Sequence, residues 1–168
     1  FLGSFVANQI KKLGYNVIGF KNSKPIKNYP FPVLYKKNSL KKFLYKSNVI
    51  VNMLPSTKET QHMINKFFLQ AMKKKSLLIN VGRGSTLNEK DLIIHLKRNK
   101  NFCVSLDVFE KEPLLKSHPL WKMPNVIITP HIASLTVVDT AVKYMYSKYC
   151  EYLKNGRIKN DINLKKGY

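Results

Sequence analysis

The sequence predicts an α/β fold, a doubly wound parallel sheet, from three observations. Short apolar runs without polar alternation recur at residues 49–51, 77–79, 104–106 and 126–128, as is typical of parallel strands covered on both faces. Helical stretches lie between these runs, so right-handed crossovers are expected. With 168 residues, the chain is long enough for one domain that buries roughly 70% of its unfolded surface.

The other elements follow from local patterns along the chain. Val6, Ile10 and Leu13 recur at helical spacing, which predicts a helix at the start. Residues 15–20 and 48–53 are each expected to form a strand. A long helix is predicted around residues 137–154.

Three polar residues stand just past the ends of predicted strands: Arg83, Glu112 and His131. Ligands of open α/β sheets bind beyond the carboxyl ends of the strands. One cation, one carboxylate and one imidazole in this position are the set needed to reduce a 2-oxo acid by hydride transfer. The sequence therefore predicts an active site formed by these three side chains.

Each of the three has a definite role in that chemistry. When hydride reaches a ketone carbon, negative charge develops on the oxygen, so a proton donor and a cation for the substrate carboxylate are needed. Histidine titrates near neutral pH, and a carboxylate such as Glu112 beside His131 would favour the imidazolium. Arg83 offers a planar fork that matches a carboxylate with two parallel hydrogen bonds. Only three of the 30 basic side chains are arginines, so Arg83 departs from the chain's usual cation.

Considered singly, each residue also has a structural explanation. A histidine after a proline is typical of a loop, a glutamate before a proline of a turn, and an arginine between glycines of a solvated turn. Their joint occurrence, in order and at strand ends, favours the functional interpretation. The other histidines, His62, His95 and His118, are expected to be structural.

Several longer phrases resemble the cofactor-binding half of the D-isomer-specific 2-hydroxyacid dehydrogenases, and most closely their glyoxylate/hydroxypyruvate reductase branch. The similarity covers nearly the whole chain and implies a Rossmann-type NAD(P)-binding domain. The matching phrases are Val51-Asn52-Met53-Leu54-Pro55, Leu78-Ile79-Asn80-Val81-Gly82-Arg83-Gly84, Leu106-Asp107-Val108-Phe109, Glu112-Pro113-Leu114, His118-Pro119-Leu120-Trp121, Thr129-Pro130-His131-Ile132-Ala133 and Gly167-Tyr168.

The resemblance implies roles for individual positions. Arg83 aligns with the family's substrate-orienting arginine, Glu112 with its glutamate partner, and His131 with its acid/base histidine. Asp107 aligns with the aspartate that contacts the nicotinamide carboxamide. Further cofactor contacts are expected from Leu54, Pro55, Val81 and Gly82. The family more often has alanine at position 82, and we expect this departure to matter little.

The other end of the cofactor is expected near the start of the chain. Leu2 and Gly3 resemble the tail of a Gly-x-Gly-x-x-Gly turn, whose third glycine lets a helix pack closely on the sheet and face the pyrophosphate. Gly3 as an ordinary small residue of a terminus is the alternative. The next strand end carries no acid for a ribose 2′-hydroxyl, but has cationic and polar side chains that suit a 2′-phosphate. These are Lys21, Asn22, Ser23 and Lys24. NADPH is therefore predicted over NADH.

The chain is expected to lack the first strand of its sheet. In the order 3-2-1-4-5-6 that strand lies between the strands expected at residues 15–20 and 48–53. Without it, both of these strands lose backbone partners, and unpaired buried polar groups cost about 1–3 kcal/mol each. We expect residues 1–156 to form an incomplete dinucleotide-binding domain, and residues 157–168 to return to a mostly absent substrate domain. Taken literally, the polypeptide is expected to be unstable and inactive.

Composition narrows the class of protein further. The net charge of +21 permits weak polyanion binding, but specific readers of base edges favour arginine, so no specific nucleic-acid role is expected. Cys103 and Cys150 are expected to be buried free thiols in a reducing compartment, which suggests the cytoplasm. No apolar stretch approaches the length of about 20 residues that a membrane span needs.

The sequence thus predicts NADPH-dependent reduction of glyoxylate and hydroxypyruvate to glycolate and glycerate, with the substrates implied by the resemblance alone. A homodimer is expected by analogy. Two alternatives remain. One is a phosphoglycerate or lactate type of 2-hydroxyacid dehydrogenase. The other is a non-catalytic protein that senses a dinucleotide and recruits partners.

Overall fold

A computed structural model of the chain describes residues 2–25, 28–134 and 136–158. The chain divides into two compact units, Phe1–Pro130 and His131–Tyr168. Among the described residues, the first unit holds two parallel sheets and four α-helices, and the second holds one long helix. Residues 159–168, including the predicted return to a second domain and the Gly167-Tyr168 phrase, lie outside the described residues.

In the first unit helices separate most of the strands, although the first two strands follow each other directly and the last two are separated only by a 3-10 turn. The helices are α1 (Leu2–Lys12), α2 (Leu40–Lys46), α3 (Lys66–Ala71) and α4 (Glu89–Arg98). The strands are β1 (Gly19–Lys21), β2 (Val33–Tyr35), β3 (Val49–Asn52), β4 (Leu77–Asn80), β5 (Cys103–Leu106) and β6 (Val126–Ile128). Single 3-10 turns precede α2, follow β4 at Gly84–Thr86 and precede β6 at Pro119–Lys122.

Every strand pair in the described part of the chain is parallel, which confirms the predicted α/β class. One sheet has the order β1-β2 and the other β3-β4-β5-β6. These are the orders that a doubly wound sheet gives to the strands on either side of its central strand. Among the described residues, no strand pairs with both β1 and β3.

The core of the first unit lies between the four-stranded sheet and its helices. Leu78, Val104 and Leu106 of the central strands are fully buried. Leu69 of α3 and Leu96 of α4 pack in the same cluster and are equally inaccessible. Each such side chain stabilises the fold by about 1.5–3 kcal/mol through its burial, and together they hold the carboxyl ends of β3, β4 and β5 in register.

Three local expectations differ from the structure. The strand predicted at residues 15–20 is shorter and later, at Gly19–Lys21, because Tyr15 is exposed and contributes nothing to a core. Strand β2 was not predicted, since it is a three-residue segment close to two prolines. Cys103 and Cys150 are free thiols as predicted, but Cys103 is exposed and Cys150 half-buried. The expectation that both are buried was wrong, because the first residue of β5 faces solvent.

The second unit confirms the predicted long helix, α5 (Val138–Asn155). It ends at Gly156, whose φ of 64° is left-handed and whose N–H donates to the Tyr152 carbonyl at 2.8 Å. Glycine adopts this conformation without the penalty that a Cβ would bring. Within the described residues, no helix is both long and apolar enough to cross a bilayer.

Candidate active site

The carboxyl ends of β3 and β4 approach each other very closely. Asn52 and Asn80, the last residues of the two strands, are register partners. Beyond them, a Cβ at Gly82 would lie 2.8 Å from the carbonyl oxygen and 3.0 Å from the nitrogen of Leu54. Position 82 therefore has no room for the more usual alanine without a backbone shift. The expectation that this departure matters little for the function stays a prediction.

Arg83 lies at the exposed rim beyond β4 and introduces the 3-10 turn Gly84–Thr86. Its Nη1 donates to the Gly82 carbonyl at 2.8 Å. Its own carbonyl accepts from the Thr86 hydroxyl at 2.6 Å and from the Thr86 N–H at 3.2 Å. The backbone of Arg83 is thus fixed by a buried residue, while the side chain is on the surface.

Glu112 belongs to a turn that packs against the Arg83 segment. Its Oε1 accepts from the Phe109 N–H at 2.9 Å. A Cβ at Gly84 would lie 1.9 Å from the Phe109 carbonyl oxygen, so the residue after Arg83 touches this turn directly. Glycine is required at position 84 by this contact, and the contact brings the Arg83 and Glu112 segments together.

Asp107 and Thr129 directly follow the neighbouring strands β5 and β6. Asp107 follows β5 immediately, is only 4% exposed, and accepts from the Thr129 hydroxyl at 2.5 Å. His131 comes two residues after Thr129 and is the first residue of the second unit. Its φ of 55° is left-handed, a conformation in which histidine is enriched among non-glycine residues.

The residues predicted for the adenosine end lie in the first part of the chain. Leu2 and Gly3 begin α1, and a Cβ at Gly3 would meet nothing within 4 Å. The close helix packing expected at Gly3 is therefore not present among the described residues, and its cofactor role stays a prediction. Lys21 ends β1 and is half-buried. Asn22, Ser23 and Lys24 follow it and are exposed.

Each of the other three histidines contacts a carboxylate or an aromatic ring, and their purely structural role stays a prediction. His62 Nε2 lies 3.1 Å from Glu110 Oε1, and His118 Nε2 lies 3.4 Å from Glu89 Oε2. The ring of His95 packs edge-on against a phenylalanine of the core, with centroids 4.7 Å apart. Burial lowers the pKa of His95 from its ordinary value.

A buried polar network behind Arg83 was missed by sequence reasoning. Asn52 Nδ2 donates to Asn80 Oδ1 at 2.8 Å and to Thr86 Oγ1 at 2.7 Å. The signal for it was present, since asparagine ends both apolar runs Val49-Ile50-Val51-Asn52 and Leu77-Leu78-Ile79-Asn80. A polar residue at the same place in two buried strands indicates a shared hydrogen bond.

The residues predicted to contact the middle of the cofactor lie beyond the strand ends. Leu54, Pro55 and Val81 are half-buried. Asp107 adds a carboxylate at the end of the next strand. Ligands of open α/β sheets bind beyond the carboxyl ends of the parallel strands, which is where these residues lie.

A parallel α/β sheet with this arrangement defines a dinucleotide-binding domain. The chain belongs to the D-isomer specific 2-hydroxyacid dehydrogenase family, since residues 2–133 match the family's NAD binding domain. The family prediction is confirmed, and its members are oxidoreductases.

Named relatives agree with this assignment. The chain is 37% identical over 99% of its length to glyoxylate/hydroxypyruvate reductase A of Escherichia fergusonii, of which the match covers 53%. The chain thus spans about half the length of the curated relatives it matches.

Solved structures show the same fold. A D-isomer specific 2-hydroxyacid dehydrogenase of Xanthobacter autotrophicus Py2 in complex with NADPH and MES superposes with a TM-score of 0.91 at 32% identity, covering 99% of this chain and 69% of that one. An NADPH-dependent glyoxylate/hydroxypyruvate reductase of Sinorhizobium meliloti, in complex with NADP and sulfate, gives a TM-score of 0.90 at 28% identity, covering 99% and 54%.

Proposed function

We propose that the chain is the cofactor-binding part of an NADPH-dependent reductase that converts glyoxylate to glycolate and hydroxypyruvate to glycerate. The observation that carries this proposal is the contact between the Arg83 segment and the Glu112 turn, beyond the ends of β4 and β5. The 37% identity to a glyoxylate/hydroxypyruvate reductase supports the choice of substrates.

In the proposed reaction each of the three residues has a separate task. The Arg83 guanidinium holds the substrate carboxylate with two parallel hydrogen bonds and so orients the ketone. When bound, the reduced cofactor would supply the hydride for the new C–H bond. As the carbonyl electron pair moves onto oxygen, the His131 imidazolium gives its proton to that oxygen. Glu112 favours the charged imidazole before transfer and orients it.

NADPH is the proposed cofactor. Lys21, Asn22, Ser23 and Lys24 follow β1 without a carboxylate that would repel a 2′-phosphate. Two structurally similar dehydrogenases were solved with NADPH or NADP. In the full-length protein, kcat/KM measured with both cofactors should favour NADPH, and a preference for NADH would refute this part of the proposal.

Replacing His131 with alanine in the full-length protein tests the function itself. We expect turnover of glyoxylate to fall about 10²–10⁴-fold, the usual contribution of a general acid, while the Kd for NADPH stays unchanged. His62→Ala is the matched control, because His62 is also exposed, contacts Glu110 and is not one of the three proposed catalytic residues. Unchanged turnover in His131→Ala would contradict an acid/base role.

The same experiment separates the alternative functions. A dinucleotide-sensing protein without catalysis would bind NADPH and show no turnover even before substitution. A phosphoglycerate or lactate type of dehydrogenase would turn over its own 2-oxo acid faster than glyoxylate. A homodimer and a cytoplasmic location are part of the proposal, supported by analogy with the family and by two cysteines that form no disulfide.

A further inference from the structure

Behind Arg83 lies a chain of buried hydrogen bonds that joins three elements. Thr86 is fully buried, Asn80 is fully buried, and Asn52 is 5% exposed. They come from the 3-10 turn after β4, from the end of β4 and from the end of β3. Because all three are buried behind the rim where Arg83 is exposed, none of them is placed to touch a substrate.

The direction of each hydrogen bond is fixed by the chemistry of the groups. Asn52 Nδ2 can only donate, so Thr86 Oγ1 must accept from it at 2.7 Å. The single hydroxyl hydrogen of Thr86 is then available for the Arg83 carbonyl, 2.6 Å away. The second hydrogen of the Asn52 amide goes to Asn80 Oδ1 at 2.8 Å. The network therefore has one arrangement only.

The network also fixes the backbone on both sides of the cofactor-facing rim. Asn80 Oδ1 accepts from the Gly82 N–H at 3.2 Å, and Asn52 Oδ1 accepts from the Leu54 N–H at 3.3 Å. These two backbone segments lie so close together that a Cβ at Gly82 does not fit between them. A shift of the Gly82 or the Leu54 N–H would therefore move Gly82, the residue before Arg83.

Burial of the Asn80 amide costs free energy, which indicates that its oxygen is needed in the network. Its Nδ2 is buried and has no hydrogen-bond partner among the described residues. An unsatisfied buried donor is destabilising, and an apolar side chain would avoid it. The amide at this position is thus useful for its oxygen, which holds Asn52 and Gly82 together.

We propose that Thr86, with Asn52 behind it, is a positioning residue that sets the direction of the Arg83 guanidinium for the substrate carboxylate. The inference rests on the proposed function, in which Arg83 orients the substrate. Thr86 holds the carbonyl of Arg83, and the Arg83 side chain in turn donates to the carbonyl of Gly82, whose N–H is held by Asn80. The main chain and the side chain of Arg83 are therefore both anchored through the Asn52, Asn80 and Thr86 network.

The test uses Thr86→Val and Thr86→Ser in the full-length protein. Valine has nearly the volume of threonine but no hydroxyl, whereas serine keeps the hydroxyl. We expect Thr86→Val to raise the KM for glyoxylate about tenfold, the loss of one buried hydrogen bond, with the Kd for NADPH unchanged. Thr86→Ser should stay near the parent. An equal loss of NADPH affinity would indicate a general structural role and overturn the proposal.

A double-mutant cycle shows whether the effect passes through Arg83. In an Arg83→Lys background, Thr86→Val should raise KM no further, because the fork that it positions is gone. Independent, multiplying effects would overturn the proposal. If Thr86→Val fails to fold, Thr86→Cys provides a weaker donor of similar size and should give a smaller increase in KM of the same kind.

A spectroscopic measurement keeps this inference separate from the proposed function. The Arg83 Nε–Hε resonance, assigned by its loss in Arg83→Lys, should shift or broaden in Thr86→Val and remain in place in Thr86→Ser. If Arg83→Lys leaves KM unchanged, the proposed role of Arg83 in catalysis fails, and this resonance alone decides the positioning inference. An unchanged resonance in Thr86→Val would overturn it.

Discussion

At the scale of single residues, Gly82 determines how closely the ends of β3 and β4 approach. A Cβ there would meet Leu54 backbone atoms at 2.8 and 3.0 Å, and backbone cannot move aside as a flexible side chain can. The family resemblance implied only that alanine is more usual at this position. The close contact became visible when the neighbouring strand end was in place.

We predict that Gly82→Ala destabilises the full-length protein by about 1–3 kcal/mol, the usual cost of forced overpacking. Urea unfolding measures this change. Gly3→Ala is the control, because a Cβ at Gly3 meets nothing within 4 Å and alanine in a helix gains up to about 1 kcal/mol. Equal stability of Gly82→Ala and the parent would show that the strand ends have room to separate.

His95 makes stability depend on pH. Burial lowers the pKa of His95 below its ordinary value of 6.5, so the unfolded chain binds the proton at a higher pH than the folded chain. Well above pH 6.5, His95 is neutral in both states and has no effect on stability. Stability is lost as the pH falls through 6.5 towards the lower pKa of the folded state.

His95→Gln should therefore reduce the loss of stability on acidification. Chemical unfolding of parent and variant at about pH 7.5 and about pH 5.5 checks this, with one proton contributing at most about 1.4 kcal/mol per pH unit. His62→Gln is a suitable comparison, because His62 is paired with a carboxylate and half-exposed. Identical pH profiles of stability for the parent and His95→Gln would contradict a lowered pKa of His95 in the folded protein.

At the scale of elements, α3 depends on its N-cap because it is short. Asn65 Oδ1 accepts from the N–H groups of Phe67 and Phe68 at 3.0 and 3.3 Å. The helix has only six residues and no acidic side chain in its first turn. Two backbone donors that helix geometry leaves unpaired thus share a single acceptor.

Asn65→Ala is predicted to destabilise the protein by about 1 kcal/mol, the typical loss of an N-cap. Asn65→Asp keeps the acceptor and should remain close to the parent. Thermal unfolding of the three proteins distinguishes them. Destabilisation of both variants to the same extent would mean that the amide group, and not the acceptor oxygen, is needed.

The sequence predicted strands well where they pack against the main core and poorly where they do not. The runs that became β3, β4 and β5 each contain fully or nearly fully buried residues, and Val126 and Ile128 of β6 pack against the same core. The pair β1 and β2 has only half-buried residues, three in each strand, so their pattern is weak. The length of β1 and the existence of β2 depend on pairing between distant segments.

The candidate site was likewise predicted only where a local phrase indicates it. Arg83, Asp107 and Glu112 were predicted from phrases that follow strands, and the structure places Arg83 and Glu112 on touching segments. The Asn52, Asn80 and Thr86 network joins positions 28 and 34 residues apart. Each of these residues is unremarkable in its own phrase, and the network exists only through the register of β3 with β4.

At the scale of the whole molecule, the net charge of +21 is the most unusual property. It attracts polyanions through lysine and phosphate, a contact that salt weakens steeply. We predict that the full-length protein binds a heparin column at low salt and elutes below about 0.3 M salt. Retention well above this concentration would indicate a dedicated polyanion surface and contradict the expectation of no specific nucleic-acid role.

In the proposed reaction Arg83, Glu112 and His131 act together to reduce a 2-oxo acid. The most direct test is the rate of NADPH oxidation by glyoxylate in a single turnover, measured for Glu112→Gln, His131→Ala and the double variant of the full-length protein. If Glu112 acts through His131, the double variant should be no slower than His131→Ala, itself slowed by about 10²–10⁴-fold. Rate losses that multiply, or a His131→Ala variant as fast as the parent, would contradict joint action of these residues.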